Sequence, residues 1–320
     1  MTEPTIDLSI VTCAYNEEKN IEQFLREVND TLKTIHPKIT AEIVIVDDGS
    51  TDDTWTSILI NSKKTVRSGR TPKFKIVCIK LISNYGQMRA LEAGLVRASG
   101  EYVLTMDSDL QMPPGYITEF WNLRDPNAII AGQQIDRKES FVKAHVSRMY
   151  YRLLRKISNQ DIVMDSGDFR LYPKEFVNRL LSVNLNYKVF RFLAPRMGLP
   201  IKVVTFTPSH RIHGKSSYNL GKMLELAKNS VISLNISPTR IIGFYLSIFS
   251  IFFSVNVVFV IYSFIRGDVI PGWTSISVSI SLGFMGILTS LYLVIAYMVK
   301  ALESVQNLPT YVIQEIRRIE

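Results

Sequence analysis

The feature that most constrains this sequence is an alternation of apolar, strand-like runs with amphipathic helical runs over its first third. Four runs rich in β-branched residues are predicted strands, at residues 7–14, 41–46, 74–81 and 102–106. Between the first two, apolar side chains recur at helical spacing, at Ile21, Phe24, Leu25, Val28 and Leu32. Strands that alternate with helices of about 10 to 15 residues predict a parallel, doubly wound α/β sheet.

Chemically reactive segments follow three of these strands directly: Ala14 to Glu17, Asp47-Asp48, and Asp107 to Gln111. Ligands of doubly wound sheets collect at the carboxyl ends of the strands. No GxGxxG follows the first strand, which counts against a dinucleotide-binding Rossmann domain. Acidic strand ends need a cation to meet phosphate, so they favour a metal-bridged nucleotide over a glycine cradle.

The Asp107-Ser108-Asp109 segment ends the fourth strand. Residues two apart along a strand edge point the same way, so both carboxylates can be aimed at one point. Two carboxylates, with phosphate and water as the other ligands, usually hold Mg²⁺ or Mn²⁺ beside a nucleotide. The alternative is a solvated Asp-Ser-Asp turn, which the rest of the chain makes the weaker interpretation.

Two long stretches near the C-terminus, 241–265 and 269–299, contain no charged residue. About 20 apolar residues suffice to cross a membrane, so each stretch predicts a transmembrane helix. Pro271-Gly272 places the start of the second helix near Trp273. Two buried helices of a soluble domain are the alternative.

The net charge of +8 is assigned to anionic lipid headgroups rather than to nucleic acid, because no zinc spacing or aromatic RNA-binding signature accompanies it. Basic residues are frequent in 202–240 and recur in the tail, whereas loop 266–272 is short and nearly neutral, which predicts cytoplasmic termini. The N-terminus lacks an apolar signal segment, so the first domain is expected in the cytosol.

These features predict a cytosolic catalytic domain (1–219), an interfacial amphipathic helix (220–238), two transmembrane helices (239–299) and a cytosolic tail (300–320). The β-prone run at 311–313 is expected to pack against the catalytic domain or a neighbour. Cys13 and Cys78 lie in apolar β-like runs and are expected to be reduced core residues.

Six segments resemble, in order, the family 2 glycosyltransferases of the polyprenyl-phosphate type, which include dolichyl-phosphate mannose synthase and bacterial undecaprenyl-phosphate sugar transferases. The segments are AYNEE (14–18), VDDGSTDDT (46–54), SNYGQ (83–87), ASGEYVLTMDSDLQMPP (98–114), DSGDFRLY (165–172) and RIHGKSSY (211–218). With the membrane helices and the tail, the resemblance covers essentially the whole chain. It implies a GT-A fold, a Rossmann-like and mostly parallel sheet, and inverting transfer of one sugar from a nucleotide diphosphate sugar to a polyprenyl phosphate.

The resemblance also implies roles for individual residues. The divalent metal, Mg²⁺ or Mn²⁺, would be held by Asp107, Asp109 and Gln111. The nucleotide-binding set is Ala14, Tyr15, Glu17 and Asp47, to which we add Asp48 and Gln87 of the matching motifs. Asp165 falls where the family places its catalytic carboxylate, and phosphate would be contacted by Arg211 and Lys215.

Further candidates come from the residue types. Arg137, Arg170 and Arg211 suit bidentate phosphate contacts, with ordinary surface charge as the alternative. A phosphate monoester acceptor has a second pKa of roughly 6, so little proton abstraction is needed, and we expect Asp165 mainly to position the acceptor. Asp168 is the rival catalytic carboxylate; a structural salt bridge to Arg170 or a neighbour is its alternative.

The chain departs from the family pattern at two positions. Cys13 stands where the family usually has Pro, and Ser217 stands where it often has Lys. Lys215, two residues before Ser217, is expected to supply that charge.

Two other functions were weighed. A processive polysaccharide synthase would carry a QxxRW motif, which surrounds none of Trp55, Trp121 and Trp273. A non-catalytic membrane scaffold should have lost one or more of its three key aspartates, which are all present: Asp107, Asp109 and Asp165.

The expected location is the bacterial plasma membrane, with UDP-glucose as the first expected donor and other UDP-hexoses and GDP-mannose after it. Small residues of the membrane segments, Gly243, Gly283 and Gly286, favour a homo-oligomer.

Overall fold

The computed structural model describes residues 6–35, 39–68, 75–135, 167–183, 188–209, 247–248, 251, 254–255, 272–305 and 309–320. The chain divides into two compact units, one of Met1–Leu234 with Pro309–Glu320 and one of Asn235–Leu308. Each unit is described separately below.

The larger unit is built on one eight-stranded sheet. Its strands are β1 (Leu8–Ala14), β2 (Ala41–Asp47), β3 (Lys75–Leu81), β4 (Tyr102–Thr105), β5 (Ile129–Gln134), β6 (Arg170–Pro173), β7 (Ile201–Phe206) and β8 (Ile313–Ile319). Its helices are α1 (Ile21–Ile35), α2 (Thr54–Ser68), α3 (Gln87–Arg97), α4 (Ile117–Asn122, after a 3₁₀ turn at Pro114–Tyr116), α5 (Lys174–Ser182) and α6 (Phe190–Arg196).

The sheet order is β7-β5-β6-β4-β1-β2-β3-β8. The pairs β4–β1, β1–β2, β2–β3 and β5–β7 are parallel, so the predicted mostly parallel α/β sheet is confirmed. Because β1 to β4 all run the same way, the loops that follow them meet at one edge of the sheet, which we call the active edge.

Two antiparallel strands bring later segments to the active edge. Strand β6 pairs antiparallel with β4, and Arg170 lies opposite Thr105, so the residues that precede β6 lie beside the end of β4. Strand β8 pairs antiparallel with β3, and Leu81 lies opposite Ile313. The chain tail therefore packs against the larger unit, one of the two places expected for it.

The strands of this unit are held by a continuous apolar core. The central strands are buried on both faces, as their unbroken runs of β-branched residues predict. The five apolar residues of α1 named above all lie in the core on one side of the sheet. An aromatic group of Phe120, Phe169 and Phe206 fills the core under β5 and β6; the ring centroids of Phe120 and Phe169 are 4.4 Å apart.

Sequence and structure differ at element boundaries and after residue 114. Helix α2 begins only at Thr54, after the turn that follows β2. Helix α3 begins at Gln87, because residues 83–86 form the loop described below. Strands β6 and β7 and helices α5 and α6 were not predicted.

The smaller unit contains α7, a helix of 33 residues from Trp273 to Val305, which begins at the residue predicted from Pro271-Gly272. Along this helix large apolar side chains are exposed, among them Ile280, Phe284 and Leu288. No helix within the described ranges was found to be both long enough and apolar enough to span a bilayer. The predicted interfacial helix at 220–238 lies outside the described residues.

Candidate active site

The loops after β1 and β2 are joined to each other by hydrogen bonds from motif residues. The Asn16 side chain, on a left-handed backbone with φ of 55°, accepts from the Thr51 amide at 2.9 Å. The Asn16 amide donates to Ser50 Oγ at 3.1 Å, and the Glu17 amide donates to Thr54 Oγ1 at 2.8 Å. Much of the AYNEE and DDGSTDDT motifs therefore builds the active edge.

The loop after β2 also holds the loop after β3. Asp48 accepts from two consecutive amides: Tyr85 N to Oδ1 at 2.8 Å and Gly86 N to Oδ2 at 2.9 Å. Gly49 has φ of 64°, and a Cβ at this position would lie 2.3 Å from the carbonyl carbon of Ser83. The DDGS turn therefore requires glycine for both its backbone conformation and its close packing.

The loop after β4 carries the predicted metal residues. The Gln87 side-chain amide donates to Asp107 Oδ1 at 2.7 Å. Asp109 accepts from the Gln111 amide at 3.1 Å across Leu110, whose φ of 63° is strained for a residue with a side chain. Ser108 Oγ donates to the Cys13 carbonyl at 3.0 Å and ties this loop to β1.

Asp168 reaches the active edge because β6 runs antiparallel to β4. Its neighbour Phe169 is fully buried in the aromatic group, and Thr105 Oγ1 donates to the Asp168 carbonyl oxygen. Asp168 is 6% exposed, and its Oδ1 has no hydrogen-bond partner in the described part of the chain. In that part no ion pair joins Asp168 to Arg170, and both the catalytic role and the salt-bridge alternative stay predictions.

Cys13 lies among the acidic residues of the active edge. Burial raises the pKa of its thiol well above the usual value, and the nearby carboxylates add to the rise: Asp107, Asp48, Asp168 and Asp109. These four side chains come from three different loops of the active edge. Cys13 is a reduced residue of the site, whereas Cys78 is a reduced core residue as predicted.

The residues predicted to line the nucleoside pocket lie along the ends of β1 and β2. Ala14 is buried and pairs with Asp47 across the two strands. Asp47 accepts from the Ser50 amide through Oδ1, and Oδ2 is buried with no hydrogen-bond partner within the described ranges. Tyr15 is 44% exposed, and the Glu17 carboxylate accepts from the Asn20 side chain.

The predicted phosphate ligands are mostly outside the described residues. Arg137, Asp165, Arg211 and Lys215 all fall there. Arg170 is described and is 1% exposed, and its Nε donates to the Gly167 carbonyl at 3.4 Å. It is therefore not the surface charge considered as its alternative, and its role as a phosphate ligand stays a prediction.

The donor chemistry of the β4 loop fits a hard divalent cation. Asp107 and Asp109 offer carboxylate oxygens, the ligand type that Mg²⁺ and Mn²⁺ prefer. The Gln111 backbone orients Asp109, and within the described ranges the Gln111 side chain makes no hydrogen bond. Among described residues no group of three or more His, Cys, Asp or Glu side chains is placed to hold a metal ion by itself.

The sequence model of Glycosyl transferase family 2 matches residues 9–181, more than half of the chain and all of the active edge described above. The chain belongs to glycosyltransferase family 2. This membership agrees with the GT-A type of α/β sheet that the motifs implied.

Known members of the family extend the match toward the C-terminus. The uncharacterized glycosyltransferase YkcC of Bacillus subtilis (strain 168) is 30% identical over 324 residues, which cover 98% of this chain and 95% of that protein. Undecaprenyl-phosphate 4-deoxy-4-formamido-L-arabinose transferase of Yersinia pestis (strain Pestoides F) is 25% identical over 248 residues, which cover 76% of this chain and 72% of that protein.

Among solved structures, this family 2 protein is similar to glucosyl-3-phosphoglycerate synthase from Mycobacterium tuberculosis in complex with Mn²⁺, UDP and phosphoglyceric acid. The TM-score is 0.49 at 18% identity, over 72% of this chain and 79% of the other.

Three features of the site were missed from the sequence. The contact between Gln87 and Asp107 joins two separate motifs, and only the parallel order of β3 and β4 around β1 and β2 brings it about. The hydrogen bonds from the Tyr85 and Gly86 amides to Asp48 were also missed, although the DDGS motif contains the acceptor and the SNYG motif contains the donors. Cys13 was predicted to be a core residue. The signal for the active edge was that Cys13 directly precedes the AYNEE motif at the end of β1.

Proposed function

We propose that this protein is an inverting, metal-dependent glycosyltransferase that moves one hexose from a nucleotide diphosphate sugar to a polyprenyl phosphate. UDP-glucose is the first candidate donor and undecaprenyl phosphate the first candidate acceptor. One observation carries the proposal: in a chain of family 2, Asp107 and Asp109 directly follow β4, and the pairing of Arg170 with Thr105 brings Asp168 beside the end of the same strand.

Asp107 and Asp109 are assigned as ligands of Mg²⁺ or Mn²⁺, with Gln111 as a third candidate. Such a cation, when bound, would neutralise the charge that develops on the departing diphosphate. Both carboxylates are oriented before a cation binds, because the Gln87 side chain donates to Asp107 and the Gln111 backbone amide donates to Asp109. Preorganised ligands of this kind act on the transition state without a reorganisation cost during the reaction.

The ends of β1 and β2 are assigned to the nucleoside. Asp47 Oδ2 is a buried acceptor with no hydrogen-bond partner in the described region, so a donor group of the base would satisfy it. Tyr15 is exposed and offers an aromatic face to the same ligand.

The reaction needs little proton transfer. A phosphate oxygen of the acceptor forms the new bond to the anomeric carbon while the bond from that carbon to the diphosphate oxygen breaks, which inverts the configuration. The attacking oxygen is largely deprotonated near neutral pH, because the second pKa of a phosphate monoester is about 6. Asp165 is therefore assigned mainly to positioning the acceptor, with Arg211 and Lys215 as its cationic partners; Asp168 is the rival carboxylate.

The acceptor class is supported by the Yersinia relative, whose name states transfer to undecaprenyl phosphate. A polyprenyl tail stays in the bilayer, so an enzyme that uses it must work at the membrane surface. The two uncharged stretches, 241–265 and 269–299, support two membrane helices, and the apolar side chains exposed on α7 lie in the second. We accordingly propose a location in the bacterial plasma membrane with both termini cytoplasmic and self-association through the membrane helices.

The proposal is tested with the purified full chain in detergent, Mn²⁺ or Mg²⁺, undecaprenyl phosphate and a panel of radiolabelled nucleotide sugars. Label that enters the lipid phase from one donor is the expected result, and it identifies the sugar. Label in a long water-soluble polymer would favour a polysaccharide synthase. Absence of lipid product from every donor, with nucleotide still bound, would favour a scaffold.

A further inference from the structure

Three hydrogen bonds connect Asp48, on the loop after β2, to Asp107, on the loop after β4. The first two run from the Tyr85 and Gly86 amides to the two carboxylate oxygens of Asp48. The third runs from Gln87 Nε2 to Asp107 Oδ1. Gln87 follows Gly86 directly, so the chain of contacts is continuous from one acidic residue to the other.

Asp48 is committed to this loop rather than open to a ligand. It is 3% exposed, and its two oxygens accept backbone amides at 2.8 and 2.9 Å. Two amides on one carboxylate fix both the position and the direction of the peptide that carries them. The backbone of Gly86, with φ of 90°, is therefore held in a conformation that few other residues adopt.

Fixing Gly86 fixes the start of α3. Gly86 is the cap residue of this helix and Gln87 is its first residue. The Gly86 carbonyl accepts from the Arg89 amide at 3.0 Å and from the Ala90 amide at 3.1 Å, so the helix is tied to the clamped peptide. The Gln87 side chain consequently leaves the helix from a determined point.

Gln87 then restrains Asp107. A side-chain amide donates only through its nitrogen, so in this 2.7 Å contact Gln87 is the donor and Asp107 Oδ1 is the acceptor. A partner of this kind sets the orientation of a carboxylate toward its cation, and its loss typically costs about 10- to 100-fold in metal affinity.

We propose that Asp48 and Gln87 are positioning residues for the metal carboxylate Asp107, in place of the nucleotide-binding role that the motifs suggested for them. Asp48 fixes the position of the peptide 85–86, and this peptide fixes the start of α3 and with it the backbone of Gln87. The Gln87 side chain then fixes the orientation of the Asp107 carboxylate. The inference rests on the proposed function, since it assumes that Asp107 binds a divalent cation.

The test measures the affinity for Mn²⁺ of the full chain in the presence of saturating UDP, from the electron paramagnetic resonance signal of free Mn²⁺. Gln87→Met removes the donor at similar volume, and we expect it to raise the Kd for Mn²⁺ about tenfold or more. Asp48→Asn keeps the size of the side chain but replaces one acceptor by a donor, and we expect a several-fold rise. In the double variant the Kd should match that of Gln87→Met alone, because Asp48 acts through Gln87.

Asp30→Asn is the control. Asp30 is a surface residue of α1, and its Oδ1 accepts from the Lys33 ammonium at 3.1 Å, outside every motif of the active edge. We expect its Kd for Mn²⁺ to stay within about twofold of the wild-type value. Thermal unfolding without metal accompanies each measurement; if Asp48→Asn does not fold, Asp48→Ser, which retains one acceptor, replaces it.

The outcomes separate the two claims. A wild-type chain that binds no Mn²⁺ with UDP overturns the proposed function and the positioning roles with it. Wild-type binding that is unchanged in folded Gln87→Met overturns the positioning roles alone. Additive losses in the double variant would show that Asp48 acts on the metal site by another route, which also overturns them.

Discussion

The carboxylates of the active edge differ in what each one contacts. Asp48 is buried, and burial raises its pKa to about 6, although the Tyr85 and Gly86 amides oppose the rise. Asp47, the preceding residue in the chain, keeps one buried oxygen without a partner in the described part. Asp107 and Asp109 are restrained by neighbouring donors. Asp47 and Asp48 are thus adjacent in one acidic motif but differ in their contacts: Asp48 binds the loop after β3, whereas Asp47 keeps a buried oxygen available for a hydrogen bond.

The raised pKa of Asp48 predicts a pH dependence of stability. Between about pH 4 and pH 6 the folded chain holds a proton on Asp48 that the unfolded chain has released, so the contribution of this group to stability falls as pH rises through that window. The free energy of unfolding of the wild type minus that of Asp48→Asn should therefore fall by up to about 3 kcal/mol from pH 4 to pH 7.

Urea unfolding at several pH values, followed by circular dichroism, measures this difference. A difference for Asp48→Asn that stays flat or rises with pH would contradict the burial of an acid group at this position.

Asp165 gives a second prediction for a single residue. If it mainly positions the acceptor, Asp165→Asn should keep turnover within about tenfold of the wild type, whereas Asp165→Ala should lose about 100-fold or more. Steady-state rates of lipid glycosylation at several pH values measure both. Equal losses in the two variants, with a matching change of the pH profile, would assign base catalysis to Asp165.

At the level of elements, the strands and helices up to residue 106 could be predicted because their apolar spacing repeats and their boundaries carry turn residues. Strand β6 could not, since it is too short to show alternation and its place beside β4 depends on long-range pairing. The sequence located the loops but did not predict the contacts between them. These contacts, such as Thr51 with Asn16 and Gly86 with Asp48, join motifs that lie far apart in the chain.

The packing of these loops predicts a graded series of glycine substitutions. Gly49→Ala meets both a left-handed backbone and a clash with Ser83, and it should cost about 3 kcal/mol of stability. Gly86→Ala has open space, but φ of 90° with ψ of 151° is a conformation that essentially only glycine adopts, so the change should cost about 2 kcal/mol from the backbone alone. Gly115→Ala, with open space around its Cβ, should change stability by less than about 0.5 kcal/mol.

Chemical unfolding of the three variants under the same conditions gives the order. Equal stability of Gly49→Ala and Gly115→Ala would contradict the close approach of the DDGS and SNYG loops.

For the whole molecule, the class of sheet could be predicted from the sequence, but the pairing of the C-terminal strand β8 with β3 could not. Strand β8 lies at the end of the sheet beside β3, although β3 ends at Leu81 and β8 begins only at Ile313. The residues between Leu234 and Pro309 form the other unit, so both ends of that unit are joined to the catalytic unit. The β-prone tail indicated a strand, but its partner depended on which sheet edge was left unpaired.

The proposed membrane topology predicts which side of the membrane each loop faces. In intact cells, Asp268→Cys should react with a membrane-impermeant maleimide, because it lies between the two uncharged stretches. Glu320→Cys should react only after permeabilisation, and the unmodified chain with its own Cys13 and Cys78 provides the blank. Equal labelling of both positions in intact cells would contradict two membrane crossings with cytoplasmic termini.

The central claim is that the carboxylates at the end of β4 drive sugar transfer to a lipid phosphate. The most direct measurement compares kcat for lipid glycosylation in the wild type, Asp109→Asn and the control Asp30→Asn, with UDP binding measured in parallel. We predict a loss of about 1000-fold or more in Asp109→Asn, UDP affinity within about tenfold, and near-normal turnover in Asp30→Asn. Turnover of Asp109→Asn close to that of the wild type would contradict the claim.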